Sequence, residues 1–156
     1  NMLEIEKIYR VDGFIFEDIE SARIFKNFIE KEKYNQKQKS IIYSGIKNNF
    51  DVSLYSNPKF NYQQMDQIFI GIKKDLDVSI YNKPEFNEWQ MRQIFLGLEE
   101  GLDINLYANL DFNAWQMQEI RLGIKDEIDV SVYLNPNINE KKMKEIRFQL
   151  KENENE

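Results

Sequence analysis

The sequence predicts a mainly α-helical protein: a short αα-repeat solenoid of about five 26-residue units, capped at its start by a β-hairpin and a helix. Three observations carry this prediction. Residues of the same type recur every 26 positions, each repeat has a helix-capping pattern, and the head of the chain is patterned differently from the rest. A fixed period in this size range is typical of stacked supersecondary units.

The head of the chain has the pattern of a hairpin followed by a helix. The segment "IEKIYRVDGFIFED" holds two apolar runs around Asp12-Gly13, a dipeptide typical of a type I′ turn. Asp18 then precedes a segment with helical apolar spacing and is expected to cap it. We predict that residues 1–24 form the hairpin and the start of a helix that covers the first repeat.

The repeat is clearest in "FNEWQMRQIFLGLEEGLDINLY", which begins at Phe86, and "FNAWQMQEIRLGIKDEIDVSVY", which begins at Phe112. A worn first copy precedes them, so five units are predicted over residues 25–152, followed by a disordered acidic tail over 153–156. The residues that keep the period of 26 include Asp51, Asp77, Asp103 and Asp129, Tyr55, Tyr81, Tyr107 and Tyr133, Met65, Met91, Met117 and Met143, and Gly71, Gly97 and Gly123.

Each unit predicts where a long helix begins. Asn87 is followed three residues later by Gln90, which is the capping-box pattern, and Phe86 and Met91 stand at the positions of a hydrophobic staple. Gly97 lies inside the same helix at a cost of about 1 kcal/mol relative to alanine, which indicates that a neighbouring helix or backbone comes close there. The equivalent capping residues are Asn35, Asn61, Asn113 and Asn139.

The segment "DVSIY" that follows allows two interpretations. Asp77 could cap a short helix of one or two turns, or the alternation of Val78 and Ile80 with Ser79 could form an extended strand. We favour the short helix, because an αα unit stacks without exposing strand edges. Pro84 then prevents the short helix from continuing.

Composition argues against catalysis. The chain has no cysteine and no histidine, which removes thiolate chemistry, the commonest metal ligand and the commonest general base. Recurring acidic pairs such as Asp75 and Asp77 fall where one helix ends and another begins. We therefore expect no enzymatic activity, no metal and no cofactor. No apolar run reaches the roughly 20 residues of a membrane span and no signal segment opens the chain, so we expect a cytoplasmic protein that does not bind membranes.

Positions that vary between the copies are the candidates for binding. Trp89 and Trp115 occupy the same position, the second of the helix, in adjacent units. They either form an anchor on a protein-binding surface or fill the space between repeats, and the sequence leaves both interpretations open. The candidate contact residues are Trp89, Trp115, Arg92, Arg121, Glu99 and Glu100.

Two further functions compete with binding of a partner protein. Helical repeats can read one base of a nucleic acid each, but the net charge of −6 and the mixing of Lys and Arg with Asp and Glu argue against this alternative. A structural scaffold that presents an interaction module is the other alternative. The oligomeric state is not indicated by the sequence.

The two clearest units resemble a repeat of the form "DVSxYAxPxFxxxQMxxIRLGLExGL", found in proteins of Firmicute conjugative elements and phages. The resemblance covers about residues 51–150, and some ten positions recur in register. It implies a mobile-element setting, in which small acidic proteins often inhibit host defence. What the resemblance implies is therefore a phage or mobile-element inhibitor, of the anti-CRISPR or anti-restriction kind, that binds a defence nuclease or its complex in the host cytoplasm.

Overall fold

In the computed structural model, which describes Leu3 and residues 6–155, an antiparallel hairpin precedes consecutive helices, as predicted. The chain divides into two compact units, Asn1–Phe69 and Ile70–Glu156. In the described part the elements are β1 (Tyr9–Val11), β2 (Phe14–Phe16), α1 (Ile19–Lys31), α2 (Gln36–Lys47), α3 (Tyr62–Lys73), α4 (Glu88–Glu99), α5 (Ala114–Lys125) and α6 (Glu140–Glu154). The division between the units falls inside α3.

The hairpin has the predicted turn. Asp12 and Gly13 both have positive φ angles, 51° and 84°, as a type I′ turn requires. Asp18 caps α1 by accepting a hydrogen bond from the backbone amide of Ser21 at 2.9 Å. The predicted first apolar run begins at Ile5, which lies outside the described residues.

Aromatic side chains join the hairpin to the first two helices. Phe16 and Phe25 are fully buried, with ring centroids 5.3 Å apart. Tyr43 of α2 lies 5.1 Å from the Phe16 ring and donates a hydrogen bond to the Ile15 carbonyl at 2.7 Å. The hairpin and α1 therefore cover α2 in the manner expected of an end cap.

The five helices α2 to α6 start at intervals of 26 residues, and the predicted caps begin them. In α4 the Asn87 side chain accepts from the Gln90 amide at 2.8 Å, and the Gln90 side chain accepts from the Asn87 amide at 2.9 Å. The same reciprocal pair begins α2, α3 and α5, whereas in α6 Asn139 accepts from the amide of Lys142, which returns no such bond.

The capping glutamine also reaches the following repeat. Nε2 of Gln90 donates to the Phe112 carbonyl at 2.8 Å, and Nε2 of Gln116 donates to the Ile138 carbonyl at 2.8 Å. Gln38 makes the equivalent bond, to the Phe60 carbonyl, at 2.7 Å. A glutamate at this position would complete the capping box but could not donate, which explains why the repeat uses glutamine.

The "DVSxY" segment forms a short helix, as favoured, and it is a 3₁₀ helix of one turn. Asp103, for example, caps the turn Ile104–Leu106 by accepting from the Asn105 amide. Tyr107 ends the turn and points back into the repeat interior, where it is fully buried. The other copies of the turn are Val52–Leu54, Val78–Ile80 and Val130–Val132.

The repeat glycines accommodate a tyrosine side chain, and not the neighbouring helix or backbone that the sequence predicted. A Cβ built on Gly97 would overlap the hydroxyl oxygen of Tyr107. This hydroxyl donates to the Gln93 carbonyl of α4 at 2.7 Å, and burial raises the tyrosine pKa, so the group stays a neutral donor. The same arrangement joins Tyr55 to the Ile41 carbonyl at 2.6 Å.

The last helix extends further than its repeat. The sequence predicts a tail over 153–156, but α6 continues to Glu154 and residues 153 and 154 are helical. In the second unit α4 packs against α5, and α5 packs against α6. This side-by-side order places equivalent residues of successive repeats next to one another.

Candidate protein-binding face

Helical spacing places four residues of each long helix in the second unit on the side turned away from the core. Along α4 these residues follow one another at intervals of three, four and three, whereas Met91 and Ile94 on the other side are fully buried. We call the combined set from the three helices the outer face. It consists of Trp89, Arg92, Leu96 and Glu99 of α4, Trp115, Gln118, Leu122 and Lys125 of α5, and Lys141, Lys144, Phe148 and Lys151 of α6.

The two tryptophans are strongly exposed. Trp89 is 67% and Trp115 is 65% accessible to solvent, so neither side chain fills the space between the repeats. Because α4 and α5 pack together in the same register, the two residues occupy neighbouring places on the outer face, on helices about 8–10 Å apart. Large exposed aromatic side chains grouped in this way are typical of interaction surfaces.

Phe148 extends the aromatic surface onto α6. It is 48% exposed and occupies the place that Leu96 and Leu122 hold in the preceding helices. Phe148 is not among the contact residues that the varying positions predict. An apolar residue at the outward position of the polar last helix was the signal that could have identified it.

Three cations on the outer face have no ion-pair partner among the described carboxylates of the second unit. They are Arg92, Lys141 and Lys144. Two of them lie beside aromatic rings: the Arg92 guanidinium is 5.2 Å from the Phe95 centroid, and the Lys144 ammonium is 5.7 Å from the Phe148 centroid. The remaining outer-face lysines are paired, Lys125 with Glu100 at 2.8 Å and Lys151 with Asp126 at 3.1 Å.

Arg121 and Glu100 lie together between α4 and α5. We call this contact, with its equivalent one repeat later, the ion-pair layer. Arg121 is 9% exposed, and its guanidinium binds Glu100 at 2.5 Å and the Gln93 side chain at 2.9 Å. Burial alone would raise the pKa of Glu100. The hydrogen bond from Lys125 and the positive charges of Arg121 and Lys125 outweigh burial, so the pKa is lowered and the carboxylate stays ionised.

The same layer recurs one repeat later. Arg147 is 2.9 Å from Glu119 and 3.8 Å from Asp126, and both members of the closer pair are buried. Glu119 and Asp126 stand 26 residues after Gln93 and Glu100. Arg121 and Glu100 therefore hold successive helices of the second unit together.

The six candidate contact residues thus fall into two groups. Trp89, Trp115, Arg92 and Glu99 lie on the outer face, where Glu99 is exposed and 3.6 Å from the Lys74 ammonium. Arg121 and Glu100 lie in the ion-pair layer beneath it. The structure does not bring all six together into one surface.

Within Leu3 and residues 6–155, no group of three or more histidine, cysteine, aspartate or glutamate side chains is placed to hold a metal ion. None of the helices described is long and apolar enough to cross a membrane. The chain matches no protein-family model, no curated protein and no solved structure.

Proposed function

We propose that this chain is a non-catalytic binding protein that attaches to a partner protein through the outer face of its second unit. The exposure of Trp89 and Trp115, at equivalent places on adjacent helices, is the observation that supports this function. Water contact with two large aromatic side chains is unfavourable, and a partner that covers them gains the free energy of their burial. Tryptophan is also among the residues most enriched at the energetic centres of protein interfaces.

The residues that hold the fold together do not determine which side chains stand on the outer face. The capping residues, the buried methionines and the tyrosine–glycine contacts hold the fold without using the second position of the helix. That position is Trp89 in α4, Trp115 in α5 and Lys141 in α6. A surface that changes while the framework stays constant is the arrangement by which repeat proteins acquire particular partners.

For the biological setting we propose an inhibitor of a host defence system, encoded by a phage or mobile element and acting in the host cytoplasm. This part of the proposal rests on the resemblance of the repeat to those of Firmicute mobile elements. The partner would be a defence nuclease or its complex, and inhibition would follow from occupying its surface. A scaffold role would use the same outer face without inhibiting the partner.

Affinity capture from a Firmicute lysate tests the proposed function. The wild-type chain is expected to retain a protein that the Trp89→Ala/Trp115→Ala variant does not retain, since removing both anchors should weaken binding at least about a hundredfold. A variant with Ile19→Ala and Ile24→Ala is the matched control, because it truncates two exposed apolar residues of the first unit.

The captured protein should be a nuclease or a nuclease component, and its activity should fall on addition of the wild-type chain only. Equal capture by the wild type and the tryptophan variant would reject the binding face. A captured protein with no nuclease role would reject the inhibitor function and leave the binding face standing.

A further inference from the structure

We propose that the segment recognised by the outer face is acidic: a stretch of the partner protein in which aspartate or glutamate alternates with apolar residues. The inference rests on the proposed function and adds the chemistry of the partner. It comes from the charges that surround the exposed aromatic side chains.

Unpaired positive charge is concentrated beside these side chains, although the net charge of the chain is −6. Arg92 stands three residues after Trp89 on α4, while Lys141 occupies the tryptophan position on α6 and Lys144 follows three residues later. No described carboxylate of the second unit lies within ion-pair distance of these cations. An acidic partner would bring carboxylates to cations that have no such partner within the second unit.

The nearby carboxylates lie at the edge of the outer face. Glu88 and Glu140 are the first residues of α4 and α6, where a negative charge interacts favourably with the helix dipole. The outer-face carboxylate Glu99 is close to Lys74. The outer face is therefore positive with an acidic rim, and the two regions should act in opposite directions on an acidic segment.

The spacing of the aromatic side chains indicates the extent of the segment. Trp89, Trp115 and Phe148 lie on three consecutive helices, so they span about 16–20 Å across the helix axes, and Phe148 is displaced by about 10 Å along its helix because it stands seven residues after the tryptophan position. An extended chain covers this span with about six residues, and a helix with about twelve. Two or three apolar residues of the segment would contact these rings, and its acidic residues would face the unpaired cations.

The same charges favour an acidic protein over a nucleic acid. Three such cations are few for a surface that binds a phosphate backbone, because proteins of this kind commonly make about six to ten phosphate contacts. The carboxylates of Glu88 and Glu140 would also repel a phosphate backbone that follows the helix N-termini. Aromatic side chains with a few cations and an acidic rim suit a short segment of mixed apolar and acidic residues.

Selection from a display library of random 16-residue peptides on the immobilised full chain tests the inference. Peptides that bind the wild type but not Trp89→Ala/Trp115→Ala are sequenced and synthesised. We expect them to carry net negative charge together with apolar residues. The affinity of the selected peptides should fall about fivefold in Lys141→Gln/Lys144→Gln and rise about twofold in Glu88→Gln/Glu140→Gln.

Three outcomes would contradict either the acidic segment or the proposed function. Tryptophan-dependent peptides that are neutral or basic, or whose affinity ignores both pairs of charge substitutions, would overturn the acidic segment and leave the proposed function intact. A library that yields no tryptophan-dependent peptide would count against the proposed function itself. Tight, tryptophan-dependent binding of a 20-nucleotide single-stranded DNA, weakening steeply with salt, would overturn the inference in favour of nucleic acid. Circular dichroism melting of every variant establishes that it is folded.

Discussion

At the scale of single residues, glycine and tyrosine act as a pair. Gly97 leaves the space that the Tyr107 hydroxyl occupies, and this hydroxyl donates a hydrogen bond to the Gln93 carbonyl of the same helix. Each residue would destabilise the fold if the other were absent. Glycine weakens the helix, and a buried tyrosine hydroxyl would be costly without an acceptor. Together they fix the angle at which the short 3₁₀ turn returns to the long helix.

Gly97→Ala should therefore destabilise the protein, although alanine is the better helix former. The added Cβ would overlap the Tyr107 hydroxyl and approach Ile104, and overpacking of this kind costs about 1–3 kcal/mol. Urea unfolding measures the loss. Gly97→Ala/Tyr107→Phe removes the overlapping oxygen. The double variant should therefore lose less free energy of unfolding than the two single variants lose together. Strict additivity would contradict the pairing of the two residues.

Gln90 supports a second residue-scale prediction, because it both accepts and donates. Gln90→Glu keeps the acceptor for the cap but places a carboxylate against the Phe112 carbonyl in a site that is 7% exposed. We expect a loss of about 2 kcal/mol at pH 7, the cost of an unsatisfied buried group. The loss should shrink at low pH, since the protonated carboxyl can donate again.

The matched control is Lys142→Glu in α6. Lys142 occupies the glutamine position of the last helix, where the side chain is exposed. A glutamate there can complete a capping box without facing a buried carbonyl, so stability should be unchanged or slightly higher. Equal losses in the two variants would show that the donor function of Gln90 is unimportant.

At the scale of the elements, one position of the long helix makes different contacts in different repeats. Phe69 of α3 packs with Phe50 and Tyr55, with ring centroids 5.5 and 6.4 Å apart. Arg121 and Arg147 stand at the equivalent positions of α5 and α6, and each binds carboxylates of the preceding repeat. One backbone repeat therefore accommodates both an aromatic layer and an ion-pair layer.

The buried pair of Arg147 and Glu119 should be sensitive to loss of one partner. Arg147→Met leaves the Glu119 carboxylate buried without its cation, at a cost of about 3–5 kcal/mol. Arg147→Phe/Glu119→Gln should recover most of this loss, because it introduces the residue types of Phe95 and Gln67 at the equivalent positions. Thermal unfolding of both variants measures the difference. If the double variant is no more stable than Arg147→Met, the two layers are not interchangeable.

The sequence identified local features because their chemistry is complete within a few residues. The Asn87–Gln90 cap, the Asp12-Gly13 turn and the 3₁₀ turn after Asp103 were all predictable from neighbours in the chain. The contact of Tyr107 with α4 spans 14 residues and depends on how the turn folds back. A repeated glycine indicates that something comes close, but it does not identify what does.

The ion-pair layer is not predictable from local sequence for a related reason. Arg121 and Glu100 are 21 residues apart, and their charges suggested a binding surface. Comparison of the copies contained a signal: where arginine replaces phenylalanine at position 121 or 147, an acid stands 21 residues earlier, at Glu100 or Asp126. An isolated helix pattern cannot reveal this, because the partner lies on the adjacent helix.

At the scale of the whole molecule, the residues that repeat and the residues that vary have different roles. The repeated residues cap the helices, fill the interior and join one repeat to the next. The outer face is built mostly from varying residues, among them Trp89 and Trp115, whose side chains are exposed. In the proposed function these two residues contribute to binding and not to folding.

The free energy of unfolding of Trp89→Ala/Trp115→Ala, measured by urea titration beside the wild type, tests this division most directly. The account predicts a change within about 0.5 kcal/mol, as for surface substitutions. Buried tryptophans that held the repeats together would each cost about 3–5 kcal/mol on truncation. A loss of that size would contradict the account, because it would make Trp89 and Trp115 part of the scaffold.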